Sequence, residues 1–308
     1  MKNWIIGILV LVVLSVGGYM IFGGSGKSEE INRGQWGDIT NLDNNQLATT
    51  TPTAETNKEQ TVIGKSVQGN DIKAFHFGTG AEEVLLVGGV HGGYEWNTIL
   101  LAEGLYDYLK ANPSAIPANL KISIVFNANP DGLKKTMGGA DGARTDFAAG
   151  DVPTDKALLE AGRFNANNVD LNRNFDCQWQ ATGVWQNTKV SGGSAPFSEP
   201  ESQAIRDYVN AHHPKAVIVY YSAAGGVYSS SCGAGILPET TVLNKTYAQA
   251  SGYPSYKTFN AYPTSGDMVN WLAKENIPAI SVLLTNHTDI ELDKNLAGVK
   301  AVLAHYAK

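Results

Sequence analysis

Cysteine is scarce in this chain: Cys177 and Cys232 are the only two in 308 residues. Two cannot build a disulfide scaffold, and their spacing excludes a CxxC redox or zinc-knuckle pair. The chain also lacks any long basic run or basic–aromatic stripe. Its formal net charge of −6 arises from interspersed acids and bases, so nucleic acid is not an expected partner. No internal repeat is present. The length suffices for one large α/β domain with additional segments.

One stretch lacks charge altogether. From Trp4 to Phe22 the sequence reads WIIGILVLVVLSVGGYMIF. As a helix rising about 1.5 Å per residue, it nearly spans a bilayer core of about 30 Å. Lys2 precedes it and Glu29 and Glu30 follow, which favours a cytoplasmic N-terminus with the rest outside. The run ends GYMIFGG, without the small-residue pattern of a signal-peptidase site. Residues 1–23 are therefore expected to form an uncleaved single-pass transmembrane signal-anchor, with the folded domain extracytoplasmic. Residues 24–60 contain almost no large apolar side chains and read as a flexible linker, because such a composition cannot offset its ordering entropy by burial.

The folded domain is expected over 61–308. VIGKSVQGNDIKAFHFG reads as a hairpin turning at Gly69-Asn70. The apolar runs Val84 to Val90, Lys121 to Asn127, Ala216 to Tyr221 and Ala279 to Leu284 read as strands buried on both faces. Helical patterns run from about Glu95 to Lys110 and from Leu292 to Tyr306. A further helix, to His212, opens at a capping box formed by Ser198-Glu199-Pro200-Glu201. Strands alternating with helices predict an α/β fold, a mixed, mostly parallel sheet sandwiched by helices. In such sheets the active site lies beyond the carboxyl ends of the strands.

Three polar segments follow strands. In GGVHGGYEWNT, His91 and Glu95 share one short turn and offer an imidazole nitrogen and a carboxylate oxygen, donors that suit zinc; equally, they read as a strand-end histidine and a glutamate favouring a helix N-terminus. NPDG (Asn129 to Gly132) reads as a turn. AGRFNANNVDLNRNFD carries Arg163, Asn172 and Arg173. A guanidinium can grip a carboxylate through two hydrogen bonds or stabilise an oxyanion, and the alternative is a surface loop with ordinary ion pairs.

Taken together, GKSVQG, HGGYEW, NPDG, RFNANNVDLNRNFD, PFSEPE, YSAAGGVY, YPTSGDMVNW and LLTNHTD, in that order, resemble the zinc carboxypeptidase family over roughly Val62 to Lys308. The resemblance implies Zn²⁺ as cofactor with His91 and Glu95 as ligands. It implies Arg163 polarising the scissile carbonyl, Asn172 and Arg173 holding the substrate's terminal carboxylate, and Tyr262 covering the bound substrate. It also implies Val269 near the floor of the terminal side-chain pocket, where an apolar residue disfavours a strongly basic terminus. The family's third ligand, a histidine, is replaced by Tyr221, and its catalytic glutamate by Leu283. His91 and Glu95 are also one residue further apart than in H-x-x-E. His287, Asp289 and Glu291 are candidate substitutes for the lost base. By the same resemblance Cys177 and Cys232 border one site and are expected to pair. The implied partners are C-termini of extracytoplasmic or cell-wall peptides. The implied activity is that of a metallocarboxypeptidase; a degenerate relative that binds such ends without cutting them is the alternative.

Overall fold

The computed structural model describes residues 59–138 and 147–308. The expected anchor and nearly all of the expected linker lie outside the described residues. Among the described residues no helix is long and apolar enough to cross a membrane.

The centre is an eight-stranded sheet. Strands β1 (Gln60–Lys65) and β2 (Asp71–Phe77) form the expected hairpin, and Gly69, at φ +81°, supplies the left-handed turn residue. They are followed by β3 (Glu82–Val87) and β4 (Leu120–Val125). A separate hairpin pairs β5 (Thr182–Trp185) with β6 (Thr188–Ser191). The sheet is completed by β7 (Ala216–Ser222), β8 (Gly226–Ser229), β9 (Ser255–Tyr256) and β10 (Ala279–Leu284). Its spatial order is β1-β2-β4-β3-β7-β10-β8-β9. The β4-β3-β7-β10 centre is parallel throughout, while β1, β2 and β8 add antiparallel pairings.

Among the described residues seven α-helices flank it: α1 (Trp96–Ala111), α2 (Pro130–Met137), α3 (Lys156–Ala161), α4 (Pro200–His212), α5 (Pro238–Ser251), α6 (Met268–Lys274) and α7 (Leu292–Tyr306). Because side chains alternate along a strand, the central strands feed two cores. Leu86, Ile218, Tyr220, Ile280 and Val282 face α1, α5 and α7. Leu85, Val217, Val219, Tyr221 and Leu283 face the side of α4 and α6. The sandwich is thus built by the period-two pattern of continuous apolar strands.

Two local expectations need correction. Ser198 does not cap α4: the N-cap residue is Glu199, with no side-chain cap bond. Instead the Ser198 hydroxyl donates to Glu199 Oε1 and accepts from Asn174 Nδ2. NPDG is not a free turn but the start of α2, with Asn129 accepting from Gly132 N and Pro130 in the first turn. Its Asp131 is fully buried and ties the β1–β2 turn through Ser66 Oγ, Gln68 N and Asn70 Nδ2, so GKSVQG and NPDG are two halves of one structural lock.

Candidate functional site

The site lies past the carboxyl ends of β3 and β7. His91 follows β3, and a 3₁₀ turn, Gly92–Glu95, leads into α1. That turn absorbs the additional residue between His91 and Glu95: Nδ1 of His91 lies 2.9 Å from Oε1 of Glu95. Nε2 of the same ring lies 3.4 Å from Oδ1 of Asp170. Neither approach is aligned as a hydrogen bond, so among the described residues both nitrogens of His91 and Oε2 of Glu95 are buried without a hydrogen-bond partner.

Asp170, fully buried, was not singled out in the sequence, although it sits between Arg163 and Arg173 in the richest polar segment. Its Oδ2 accepts from Nε and Nη2 of Arg163 at 3.0 and 2.8 Å. Its Oδ1 accepts from Asn172 N and starts the 3₁₀ turn Leu171–Arg173. Burial by itself raises the Asp170 pKa, but the adjacent Arg163 guanidinium, with His91 and Arg173, outweighs it and holds the carboxyl far below its ordinary range. Arg163 is 1 % exposed and packs against a pair of touching aromatic rings, Trp185 at 4.6 Å and Tyr94 at 5.7 Å. Burial, with Glu95 nearby, pushes the Tyr94 hydroxyl up to about 12.

Arg173 is equally buried. Its Nε and Nη2 donate to Val184 O, and Nη1 donates to Asn172 O. Three of the five guanidinium N–H groups are thus spent on backbone carbonyls, which fixes the fork and leaves two. Tyr262 is half-buried, with its ring 5.8 Å from that guanidinium. Burial raises its pKa, while Arg163 and Arg173 pull it back.

The two positions that the family resemblance marks as substituted are direct neighbours. Leu283 on β10 pairs in register with Tyr221 on β7, and both belong to the same apolar cluster. The Tyr221 ring lies 5.4 Å from that of His91, and its hydroxyl donates to Asn172 Oδ1 at 3.0 Å. Burial first, then the carboxylates of Asp267, Glu95 and Asp170, push its pKa well above 10. Leu283 has no donor atom at all.

A catalytic zinc takes three protein ligands and a water. Here the unpartnered atoms of His91 and Glu95 supply two donors. Among the described residues no group of three His, Cys, Asp or Glu side chains converges so as to hold a metal ion. The residues present therefore do not fit a catalytic zinc.

The candidate substitutes differ in placement. Glu291 is held by Thr285 N and Oγ1, Tyr253 and Lys294. Burial alone would raise its pKa, but these contacts bring it down to about 2. Asp289 is an exposed acceptor for Asn286 Nδ2. Both serve the loop after β10. His287 alone of the three packs on the site, with its ring 4.7 Å from Tyr94. Asn97 Nδ2 donates to Asn286 O and Asp289 O, which aims Asn97 Oδ1 at the Ser222 hydroxyl; that hydroxyl donates to it. Ser222 must then accept from His287 Nδ1, 2.9 Å away, leaving Nε2 with a lone pair. Burial lowers the pKa of His287.

Beside Tyr262 a cavity of about 260 Å³ is lined by Ser229, Ser231, Ser281, Thr264, Asn270, Asp267 and Val269, among others. Asp267 caps α6 by accepting from Asn270 N and accepts also from Asn172 Nδ2. Val269 does line the cavity, but hydroxyls, an amide and a carboxylate dominate its wall. The expectation that an apolar residue sets a preference against basic termini gives way to this polar lining. Cys177 and Cys232 form a disulfide, and their neighbours Gln178, Ser231 and Gly233 contribute to the same cavity.

Comparison with known proteins agrees with this architecture. The family model described as zinc carboxypeptidase matches residues 46–294. The chain is 25 % identical over 223 residues to gamma-D-glutamyl-L-diamino acid endopeptidase 1 of Lysinibacillus sphaericus, covering 66 % of this chain and 54 % of that protein; it thus spans about half that relative's length. It is 23 % identical over 210 residues to murein peptide amidase A of Escherichia coli K12, covering 65 % and 70 %. Among solved structures, the murein-tripeptide amidase of Escherichia coli O157 superposes with a TM-score of 0.57 at 22 % identity, over 83 % of this chain and 97 % of that one. Bovine thrombin-activatable fibrinolysis inhibitor gives 0.63 at 17 %, over 80 % and 89 %. These two likenesses show the fold.

Proposed function

The chain belongs to the zinc carboxypeptidase family, and on that premise we propose that it captures the free C-termini of cell-wall peptides without hydrolysing them. The observation that carries this reading is the in-register pair Tyr221–Leu283, at the two positions where the family resemblance expects the third metal ligand and the base. The groups that would hold a terminus remain beside that pair. Arg173 keeps two free N–H donors on a fixed fork, Tyr262 lies over it, and a polar cavity containing Asp267 adjoins them. Two relatives are named for murein peptides and for a diamino-acid bond. A terminal diamino acid suits this cavity, since its second amino group can meet the Asp267 carboxylate among hydroxyls.

The test is binding of γ-D-glutamyl-L-lysine to the full-length chain by calorimetry. The free acid should bind, its C-terminal amide should bind at least tenfold more weakly, and Arg173→Ala should erase the difference. Equal affinity for acid and amide in the wild type would refute the reading.

One observation favours a second reading. His287, with its proton fixed on Nδ1 and a lone pair on Nε2, could take the place of the lost base, and the chain would then be a peptidase. Release of free lysine from the same peptide, suppressed by His287→Ala, would establish it. Anchoring by residues 1–23 forms part of the proposal, supported by the uncharged run Trp4 to Phe22. Full-length protein should stay with membranes through a carbonate wash, and recovery of a mature chain starting near Gly23 would contradict it.

A further inference from the structure

The residue at the position where the resemblance expects the third ligand makes a side-chain hydrogen bond to Asn172. We propose that Tyr221 is a positioning residue for the side-chain pocket: its hydroxyl locks the Asn172 amide so that Asn172 holds Asp267, and through Asp267 the chain recognises a terminal diamino acid. This rests on the binding function proposed above.

The chain of contacts is continuous. Tyr221 Oη donates to Asn172 Oδ1 at 3.0 Å, and Met268 N donates to the same oxygen at 3.0 Å. An amide whose oxygen faces two donors has its orientation fixed, because a flip would set N–H against O–H and N–H. Asn172 Nδ2 must then face Asp267, and it donates to Oδ2 at 3.0 Å. Oδ1 of Asp267 accepts from Asn270 N. Each carboxylate oxygen retains a lone pair, and the carboxylate lines the cavity. The backbone carbonyl of Asn172 separately receives Nη1 of Arg173, a contact in which the side-chain amide takes no part. The phenol ring lies 5.4 Å from the His91 ring, and its hydroxyl reaches this amide. The substitution that removes a metal ligand thereby adds a strut to the binding half of the site.

The experiment compares γ-D-glutamyl-L-lysine with γ-D-glutamyl-L-norleucine, which lacks the second amino group, on the full-length chain. Tyr221→Phe keeps the ring and removes only the hydroxyl. Loss of one hydrogen bond of ordinary net strength predicts about a three- to tenfold weaker affinity for the lysine peptide. Affinity for the norleucine peptide should be unchanged, whereas a merely structural role would weaken both alike. In an Asn172→Ala background the Tyr221→Phe change should be silent, since the strut then has nothing to hold. The side-chain amide resonances of Asn172 should also shift in Tyr221→Phe without ligand. Undiminished selectivity for lysine over norleucine, equal loss for both peptides, or a full effect in the Asn172→Ala background overturns the inference while leaving the binding function standing. A wild type that binds neither peptide overturns the function, and this inference with it.

Discussion

Replacing Asp170 by Asn tests whether the site is held from within by a buried charge pair. The two side chains are nearly isosteric, so no cavity is made and the change is essentially one of charge. Asp170 is 0 % exposed and Arg163 1 %, and the carboxylate accepts two of the guanidinium's N–H groups through one oxygen. Removing one partner of such a pair leaves an uncompensated buried cation, at a cost of about 3–5 kcal/mol. For a domain of this size each kcal/mol moves the melting temperature by about 2–4 °C, so Asp170→Asn should melt roughly 6–20 °C lower. Linkage gives an independent check. A carboxyl whose folded pKa lies below its unfolded value of about 3.9 contributes stability that is complete above that value and is lost as pH falls through the folded one. The gap between wild type and variant should therefore narrow on acidification below about pH 4. Thermal unfolding by circular dichroism between pH 3 and 7 measures both. A variant melting within about 2 °C of wild type at pH 7 would refute the argument.

The wild-type chain should hold substoichiometric zinc after dialysis, by elemental analysis. Tyr221→His should raise the zinc content by adding a third nitrogen or oxygen donor, and Tyr221→His/Leu283→Glu should release terminal residues more than additively in a chelator-sensitive way; stoichiometric zinc in the wild type would contradict the fit argument. His287 should titrate below 6.5 by NMR and carry its proton on Nδ1 when neutral. Because its folded pKa is lowered, its contribution to stability is complete above about 6.5 and is lost as pH falls below that value. Ser222→Ala should release the tautomer preference, and an Nε2–H tautomer in the wild type would break the proposed relay.

The sheet was legible because its central strands are unbroken apolar runs, and a strand buried on both faces announces itself in that way. Helices α2, α3, α5 and α6 were not anticipated, and NPDG shows why for α2: a turn-forming tetrapeptide is also an N-cap with proline in the first turn, and only the α2 residues that follow decide between the two. Strands β8 and β9 are four and two residues long, too short for a periodic signal. In the site, His91, Glu95, Arg163, Asn172, Arg173 and Tyr262 were identified through motif order, and the structure gathers them at one end of the sheet. Asp170 was passed over because an aspartate between asparagines and arginines looks like solvated surface. Its partner, seven residues earlier, becomes visible only once the loop is folded. The polar cavity was likewise hidden, since its wall is drawn from segments far apart in sequence.

The pairing of Tyr221 with Leu283 also bears on how such a site could change over time. While a divalent cation is bound, a glutamate at 283 sits beside a positive charge and is tolerated. Once the third ligand is gone and the cation with it, the same glutamate becomes an unpaired carboxylate against an apolar cluster, and an apolar side chain there is the more stable choice. A loss at 221 would thus make an apolar residue at 283 favourable. The two neighbouring positions on adjacent strands are linked in this way, and recovery of activity, as distinct from metal, would require both residues to change.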